Sequence, residues 1–303
     1  MTLAAIDIGT NSVKLLVGRV EGRTVTPILH RAVNTRLGEG LHASGSISPE
    51  AAGRSITALK ELRRLAAERG AERLATVGTL VLRSAANAAE FLDRCRAEAE
   101  LDVRILTGEE EARLSFQGAA WAAAADHVLA IDIGGGSTEI MVGSRAELTT
   151  SWSLGLGAVT LTEEFLHSDP PAAEEMMTMS GAIRRHLIPV VARAGKDGEL
   201  VGIGGTVSSI LGLLRKELGE DPRDIHRKTV AFDTISALAI HLSLKTIPDR
   251  ERMGLERGRA DIIVAGAWIL VAAMSHLEAS TLRATAHGLR HGLLIELASG
   301  RWQ

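Results

Sequence analysis

The chain has 303 residues, 46% hydrophobic and 23% charged, with a formal net charge of −3. That balance fits two compact globular domains and excludes a disordered chain. No apolar run spans a membrane: residues 262–274 are too few and are bracketed by Asp261 and His276.

The N-terminus lacks a basic region ahead of a hydrophobic stretch, and the lone cysteine, Cys95, excludes an internal disulfide. A cytoplasmic protein with no membrane partner is the expectation. Arginine outnumbers lysine, which suits planar recognition of phosphate oxygens but equally reflects genome composition. Aromatics make up 3% and tyrosine is absent, so there is no stacking platform and no nucleic-acid partner is expected.

Residues 3–8 and 13–20 read as a hairpin-linked strand pair, with a third strand at 25–30. Leu37-Gly38-Glu39-Gly40-Leu41 is a glycine-punctuated loop. Ser48 caps a helix with Pro49 in its first turn; Ile56, Leu59, Leu62 and Ala66 form its buried stripe, and Gly70 stops it. A strand at 74–77 ends at Gly78-Thr79, a helix near 85–99 carries Cys95 on its apolar face, and a strand follows at 103–106. Thr107 opens a helix through Gly108-Glu109-Glu110-Glu111, with acids where the macrodipole favours them.

The second half repeats this plan. Ala130-Ile131-Asp132-Ile133-Gly134 duplicates Ala5-Ile6-Asp7-Ile8-Gly9, each at the end of an apolar run and each followed by a returning strand. Helices are expected near 158–167 and 171–194, a strand at 199–203, and a helix at 207–218 after Gly204-Gly205-Thr206. Helices at 234–245 and 260–276, a strand at 282–286 and a helix at 288–298 complete the chain. Strands alternating with helices mean an α/β fold. The two copies suggest related halves, 1–124 and 125–287, with the final helix at 288–303 returning to the first.

Several residues suit phosphate chemistry. Gly134-Gly135-Gly136-Ser137 lets backbone amides approach phosphate closely, although an ordinary glycine hairpin has the same look. Asp132 ahead of it suits a water-mediated Mg²⁺ ligand, and Asp7 is its counterpart. Glu139 either reaches the same ion or, by strand alternation, turns to solvent. At most one of Glu109, Glu110 and Glu111 can face a site; Glu111 there can deprotonate an attacking water. Arg83, at a strand-to-helix junction, can grip phosphoryl oxygens or simply pair with an acid. Lys14 is a similar candidate, and Gly204-Gly205-Thr206 is a third glycine turn, at a helix start. His287 and His291 have the helical spacing of zinc ligands but no carboxylate signature beside them.

Taken in order, these segments resemble the exopolyphosphatase and guanosine pentaphosphate phosphatase family, within the actin, hexokinase and chaperone ATPase superfamily. The matching runs are 5–12, 36–41, 78–83, 107–114, 131–139, 204–206 and Gly288-Leu289-Arg290. The resemblance implies two actin-like domains with the site between them, and Mg²⁺-assisted (or Mn²⁺-assisted) hydrolysis of a terminal phosphoanhydride. By that match Glu111 is the catalytic base and Arg83 its partner in catalysis. Asp7, Asp132 and Glu139 lie on the metal side. Asn11, Ser12, Lys14, Gly134, Gly135, Gly136, Ser137, Gly204, Gly205 and Thr206 hold phosphate. The substrate is inorganic polyphosphate or guanosine pentaphosphate, and a homodimer is implied. His291 stands where relatives often carry an acid. Two rivals remain open at this point: a phosphotransferase, and a non-catalytic sensor of polyphosphate or an alarmone.

Overall fold

The computed structural model describes residues 1–302. In chain order the first elements are β1 (Thr2–Ile8), β2 (Ser12–Glu21), β3 (Thr24–Asn34), α1 (Leu41–Ser44), α2 (Pro49–Glu68), β4 (Arg73–Gly78), α3 (Leu80–Ser84), α4 (Ala88–Ala99), β5 (Val103–Ile105) and α5 (Gly108–Ala120). Then come β6 (His127–Ile133), β7 (Thr138–Ser144), β8 (Leu148–Leu154), α6 (Ala158–Phe165), α7 (Ala173–Ala194), β9 (Glu199–Ile203) and α8 (Gly204–Glu217). The chain continues with β10 (Lys228–Ala231), α9 (Phe232–Ser243), α10 (Ile247–Met253), α11 (Arg257–Ala260), α12 (Ile263–His276), β11 (Thr281–Ala284) and α13 (Leu289–Ala298).

Two mixed sheets follow one plan. In the first, ordered β3-β2-β1-β4-β5, an antiparallel meander of β1, β2 and β3 is extended by β4 and β5 parallel to β1. In the second, ordered β10-β11-β9-β6-β7-β8, β6, β7 and β8 form the meander and β9 and β11 run parallel to β6. Strand β10 is an antiparallel addition. This is the expected mixed α/β architecture, with two sheets of related topology.

The chain divides into two compact units, Met1–Gly118 with Gly288–Gln303, and Ala119–His287. The division falls inside α5, whereas the sequence reading drew it at 124/125. In the first unit the two faces of the sheet are covered differently. Ala4, Ile6, Ile8, Val13, Leu15 and Val17 pack with residues of α2 and α4. The alternate residues Leu3, Ala5, Leu16 and Val20 pack with Leu114 of α5 and Leu289, Leu293 and Leu294 of α13. In the second unit the core joins β6, β7 and β9 to α7, α8, α9 and α12. No helix among the described residues is long and apolar enough to cross a membrane.

Local signals act as read. The Ser48 hydroxyl accepts from the Ala51 N–H at 3.2 Å, with Pro49 at the first helical position. Gly70 takes a left-handed φ of 72° that ends the run after α2. Cys95 is fully buried, and that burial pushes its thiol up to about 12. Strands β8 and β10 and the short helices escape the sequence reading because their residues are mostly polar or too few to show a period.

Candidate active site

In each unit the candidate residues gather where the parallel strands end, the edge at which α/β sheets bind ligands. In the first unit Ile8, Gly78 and Ile105 form one row across β1, β4 and β5. The chain leaves that row through Gly9–Ser12, Thr79–Arg83 and Leu106–Glu111. The Thr79 N–H returns to the Ile8 carbonyl at 3.2 Å, and the Leu106 N–H to the Gly78 carbonyl at 2.9 Å.

The turn after β1 is closed by the Gly9 N–H on the Ser12 carbonyl at 3.1 Å. Asn11 and Ser12 are both buried. The glycine-punctuated loop packs on this turn: Arg36 and Gly38 N–H groups donate to the Asn11 and Thr10 carbonyls, each at 2.9 Å. A Cβ on Gly38 would lie 2.3 Å from Thr10 Cγ2, so a larger residue there must displace the threonine side chain. Asp7 stands opposite Lys14 in the β1–β2 ladder, and its Oδ2 lies 3.9 Å from Lys14 Nζ.

Arg83 and Glu111 meet. Arg83 Nη1 donates to Glu111 Oε2 at 2.7 Å and to the Leu106 carbonyl at 2.8 Å, and both side chains are largely shielded from solvent. Arg83 does pair with an acid, and that acid is the candidate base. Its Nε and Nη2 donate to no protein group among the described residues, so half of the guanidinium fork remains to receive an anion. The three consecutive glutamates separate as the helical period requires. Glu109 is exposed. Glu110 caps α5: it accepts the Thr107 N–H at 2.9 Å while the Thr107 hydroxyl accepts the Glu110 N–H at 3.1 Å. That backbone donor first, then Arg104, holds its carboxyl below the usual range. Glu111 alone is brought to Arg83.

The second unit reproduces the turn, with Gly134 N–H on the Ser137 carbonyl at 2.9 Å. The partner across the ladder differs: Asp132 stands opposite Glu139, where Asp7 stands opposite Lys14. Glu139 is buried rather than turned to solvent, and its Oε1 accepts the Ser153 hydroxyl at 2.8 Å. Two carboxylates facing each other disfavour the ladder unless a cation joins them.

Helix α6 orients the glycine turn. The Ala158 N–H donates to the Gly134 carbonyl at 3.0 Å and the Val159 N–H to the Gly135 carbonyl at 2.8 Å. Gly157 is so close that a Cβ there would lie 2.1 Å from the Gly135 oxygen. The carbonyls therefore cap α6, while the Gly135 and Gly136 N–H groups donate to no backbone acceptor among the described residues. An amide turn so arranged suits an anion.

Gly204 and Gly205 open α8 beside this turn. Gly204 has φ 89°, and a Cβ on it would meet Asp132 Oδ1 at 2.3 Å. A Cβ on Gly205 would meet Arg259 Nη2 at 2.0 Å, so the Arg259 guanidinium lies on the start of the helix. Thr206 is buried. Loss of solvent lowers the Arg259 pKa, with Glu256 opposing. A cation held at the positive end of a helix favours an anionic ligand there. Sequence reasoning missed Arg259, which no spacing links to Gly205; Arg257 and Arg259, either side of Gly258, look like solvated surface.

Two carboxylates of the second unit could hold a magnesium ion. Mg²⁺ is usually bound by one or two carboxylates together with water and phosphate oxygens, and Asp132 and Glu139 provide such a pair. No group of three or more histidine, cysteine or acidic residues able to hold a metal occurs among the described residues. The helical zinc spacing of His287 and His291 dissolves, because α13 starts only at Leu289. His287 instead stacks on His226 with ring centroids 4.0 Å apart, and His291 lies 5.8 Å from His30.

Residues 16–300 match the model of the Ppx/GppA phosphatase family. Exopolyphosphatase 2 of Mycobacterium tuberculosis (strain H37Rv) is 32% identical, over 98% of this chain and 98% of its own length. Exopolyphosphatase 1 of Mycobacterium bovis is 31% identical, over 97% of this chain and 88% of its own. Among solved structures, the Aquifex aeolicus Ppx/GppA family member superposes with a TM-score of 0.81 at 30% identity, covering 100% of this chain and 99% of that one. The exopolyphosphatase of Cytophaga hutchinsonii shares the fold, with a TM-score of 0.91 at 24% identity over 99% and 98% of the two chains.

Proposed function

The chain belongs to the Ppx/GppA phosphatase family, and from that membership we propose that it is an exopolyphosphatase, releasing orthophosphate from the end of inorganic polyphosphate. The names of its relatives support the substrate. The chemistry rests above all on the Arg83–Glu111 pair at the strand ends of the first unit.

Phosphoryl transfer passes through a loose transition state, so positioning and charge compensation matter more than a strong base. Glu111, anchored through Oε2 by Arg83 and through its helix by the Thr107–Glu110 cap, orients the attacking water and receives its proton. The remaining N–H groups of Arg83 compensate charge on the transferred group. Asn11, Ser12 and Lys14 from the first unit, and the Gly134–Ser137 and Gly204–Thr206 turns from the second, bind phosphate oxygens. Arg259 joins the latter. Asp132 and Glu139 would hold Mg²⁺, or Mn²⁺ in its place, and the ion would supply positive charge against the phosphate oxygens. Asp7, facing a lysine rather than a second acid, serves Lys14 in preference to the metal.

The test is phosphate release from polyphosphate and from guanosine pentaphosphate with Mg²⁺ present. Release from polyphosphate is expected. Release from guanosine pentaphosphate alone would move the assignment to the pentaphosphate 5′-phosphohydrolase, and release from neither would reject hydrolysis.

A further inference from the structure

The reaction as drawn gives no task to Gly288-Leu289-Arg290. Helix α13 covers the face of the first sheet that carries Leu3, Ala5 and Leu16. Strand alternation puts Asp7 and Lys14 on that same face, one step nearer the strand ends. Helix α5, which carries Glu111, packs there too through Leu114. Arg290 lies in the first turn of α13, and its Nη1 donates to the Leu15 carbonyl at 2.9 Å, next to Lys14 and opposite Ile6.

No carboxylate is ion-paired with Arg290 among the described residues. Asp7 is the anion whose charge acts on it, against the desolvation that lowers its pKa. Asp7 in turn approaches Lys14 through Oδ2. Its Oδ1 is buried without a hydrogen-bond partner. The other ionisable groups near α13 do not cancel the arginine. His30 on β3 is pushed down to about 4, by loss of solvent and then by the Arg290 charge. Glu296 is engaged by Arg113 from α5. Asp7 thus answers to two cations, Lys14 on one side and Arg290 on the other.

We propose that Arg290 is a positioning residue of the first unit's phosphate turn. Its charge draws on Asp7 from the α13 side, so that Asp7 does not neutralise Lys14 and the lysine keeps its pull on a phosphoryl oxygen. A carboxylate bound to Lys14 alone weakens its pull on a polyanion more than one drawn also toward a second cation.

The inference rests on the phosphatase reading, and its test separates the two. R290M and R290K are compared with wild type by melting temperature and by initial rates on polyphosphate at low and high salt. R290M is expected to raise KM roughly tenfold at low ionic strength, the factor a charge pair gives at an effective dielectric near 20 and a separation of about 10 Å. Its kcat should stay within about threefold. R290K should recover most of the loss, and the gap should narrow at roughly 0.5 M salt. A purely structural role predicts equal damage from both substitutions and no salt dependence. A folded R290M with wild-type KM, or an R290K as impaired as R290M at both salts, overturns the proposal. If R290M does not fold, R290K decides alone: a KM near wild type supports it and a tenfold rise overturns it. If wild type releases no phosphate, the phosphatase reading fails instead. Calorimetry with orthophosphate then decides on Arg290: roughly tenfold weaker binding by R290M (by R290K, if R290M does not fold, binding near wild type) is expected, and the opposite result overturns it.

Discussion

Replacing Gly157 with alanine tests how helix α6 shapes the glycine turn. Gly157 has φ −125° and ψ 159°, an extended conformation open to any residue, so the change adds no backbone strain. It adds one methyl group, 2.1 Å from the Gly135 oxygen and 2.4 Å from the Gly136 carbonyl carbon. Cβ atoms essentially never come closer than 3.0 Å, so the turn and the helix start must separate by about 0.9 Å. Overpacking of this kind costs about 1–3 kcal/mol. In a unit of this size that lowers the melting temperature by roughly 2–12 °C. A turn displaced by about 1 Å also carries its amides away from the phosphate, a misplacement worth on the order of 100-fold in rate. Differential scanning fluorimetry and phosphate release from polyphosphate measure both effects, with circular dichroism to verify folding. Gly155→Ala is the control, because its added Cβ meets nothing within 4 Å. A G157A protein with wild-type kcat, or a G155A protein equally impaired, would refute the link between this contact and the turn.

Further outcomes follow from the same structure. Glu139→Gln removes one of the two facing carboxylates; Mg²⁺ should raise the melting temperature of wild type but not of E139Q, and EDTA should reverse the wild-type shift. The Arg113–Glu296 pair is asymmetric, since the glutamate side chain is 6% exposed and the arginine 43%. Arg113→Met, which strands a buried carboxylate, should therefore cost about 3 kcal/mol in urea unfolding, and Glu296→Gln clearly less. Cys95 should resist a thiol reagent such as Ellman's reagent at pH 8 until the protein unfolds. Because its folded pKa is raised to about 12, its contribution to stability is complete below the ordinary thiol value and is lost as pH climbs from there toward 12.

Much of this fold is written locally. The duplicated acidic pentapeptide, its glycine turns and the returning strands announce themselves because period-two patterns and glycines act over a few residues, and both turns share one closing hydrogen bond. The choice of Glu111 among three glutamates was half legible: the helical period limits the number that can face a site, but Arg83 had to be seen to select one. What eluded the sequence depends on long-range packing. Gly157 needs to be glycine because of Gly135, Arg259 matters because it lies on Gly205, and Arg290 because α13 returns to β1 and β2. The sequence could not tell Asp7 from Asp132 either, although their partners, Lys14 and Glu139, sit at matching places after each turn. The ladder register makes the contrast one of charge.

Glu111→Gln keeps the shape of the side chain and an oxygen for Arg83, but removes the charge and the capacity to take a proton. If Glu111 prepares the water, the folded variant should retain its KM for polyphosphate and its melting temperature, while kcat falls on the order of 100- to 10,000-fold. A kcat within a few-fold of wild type would show that another group prepares the water.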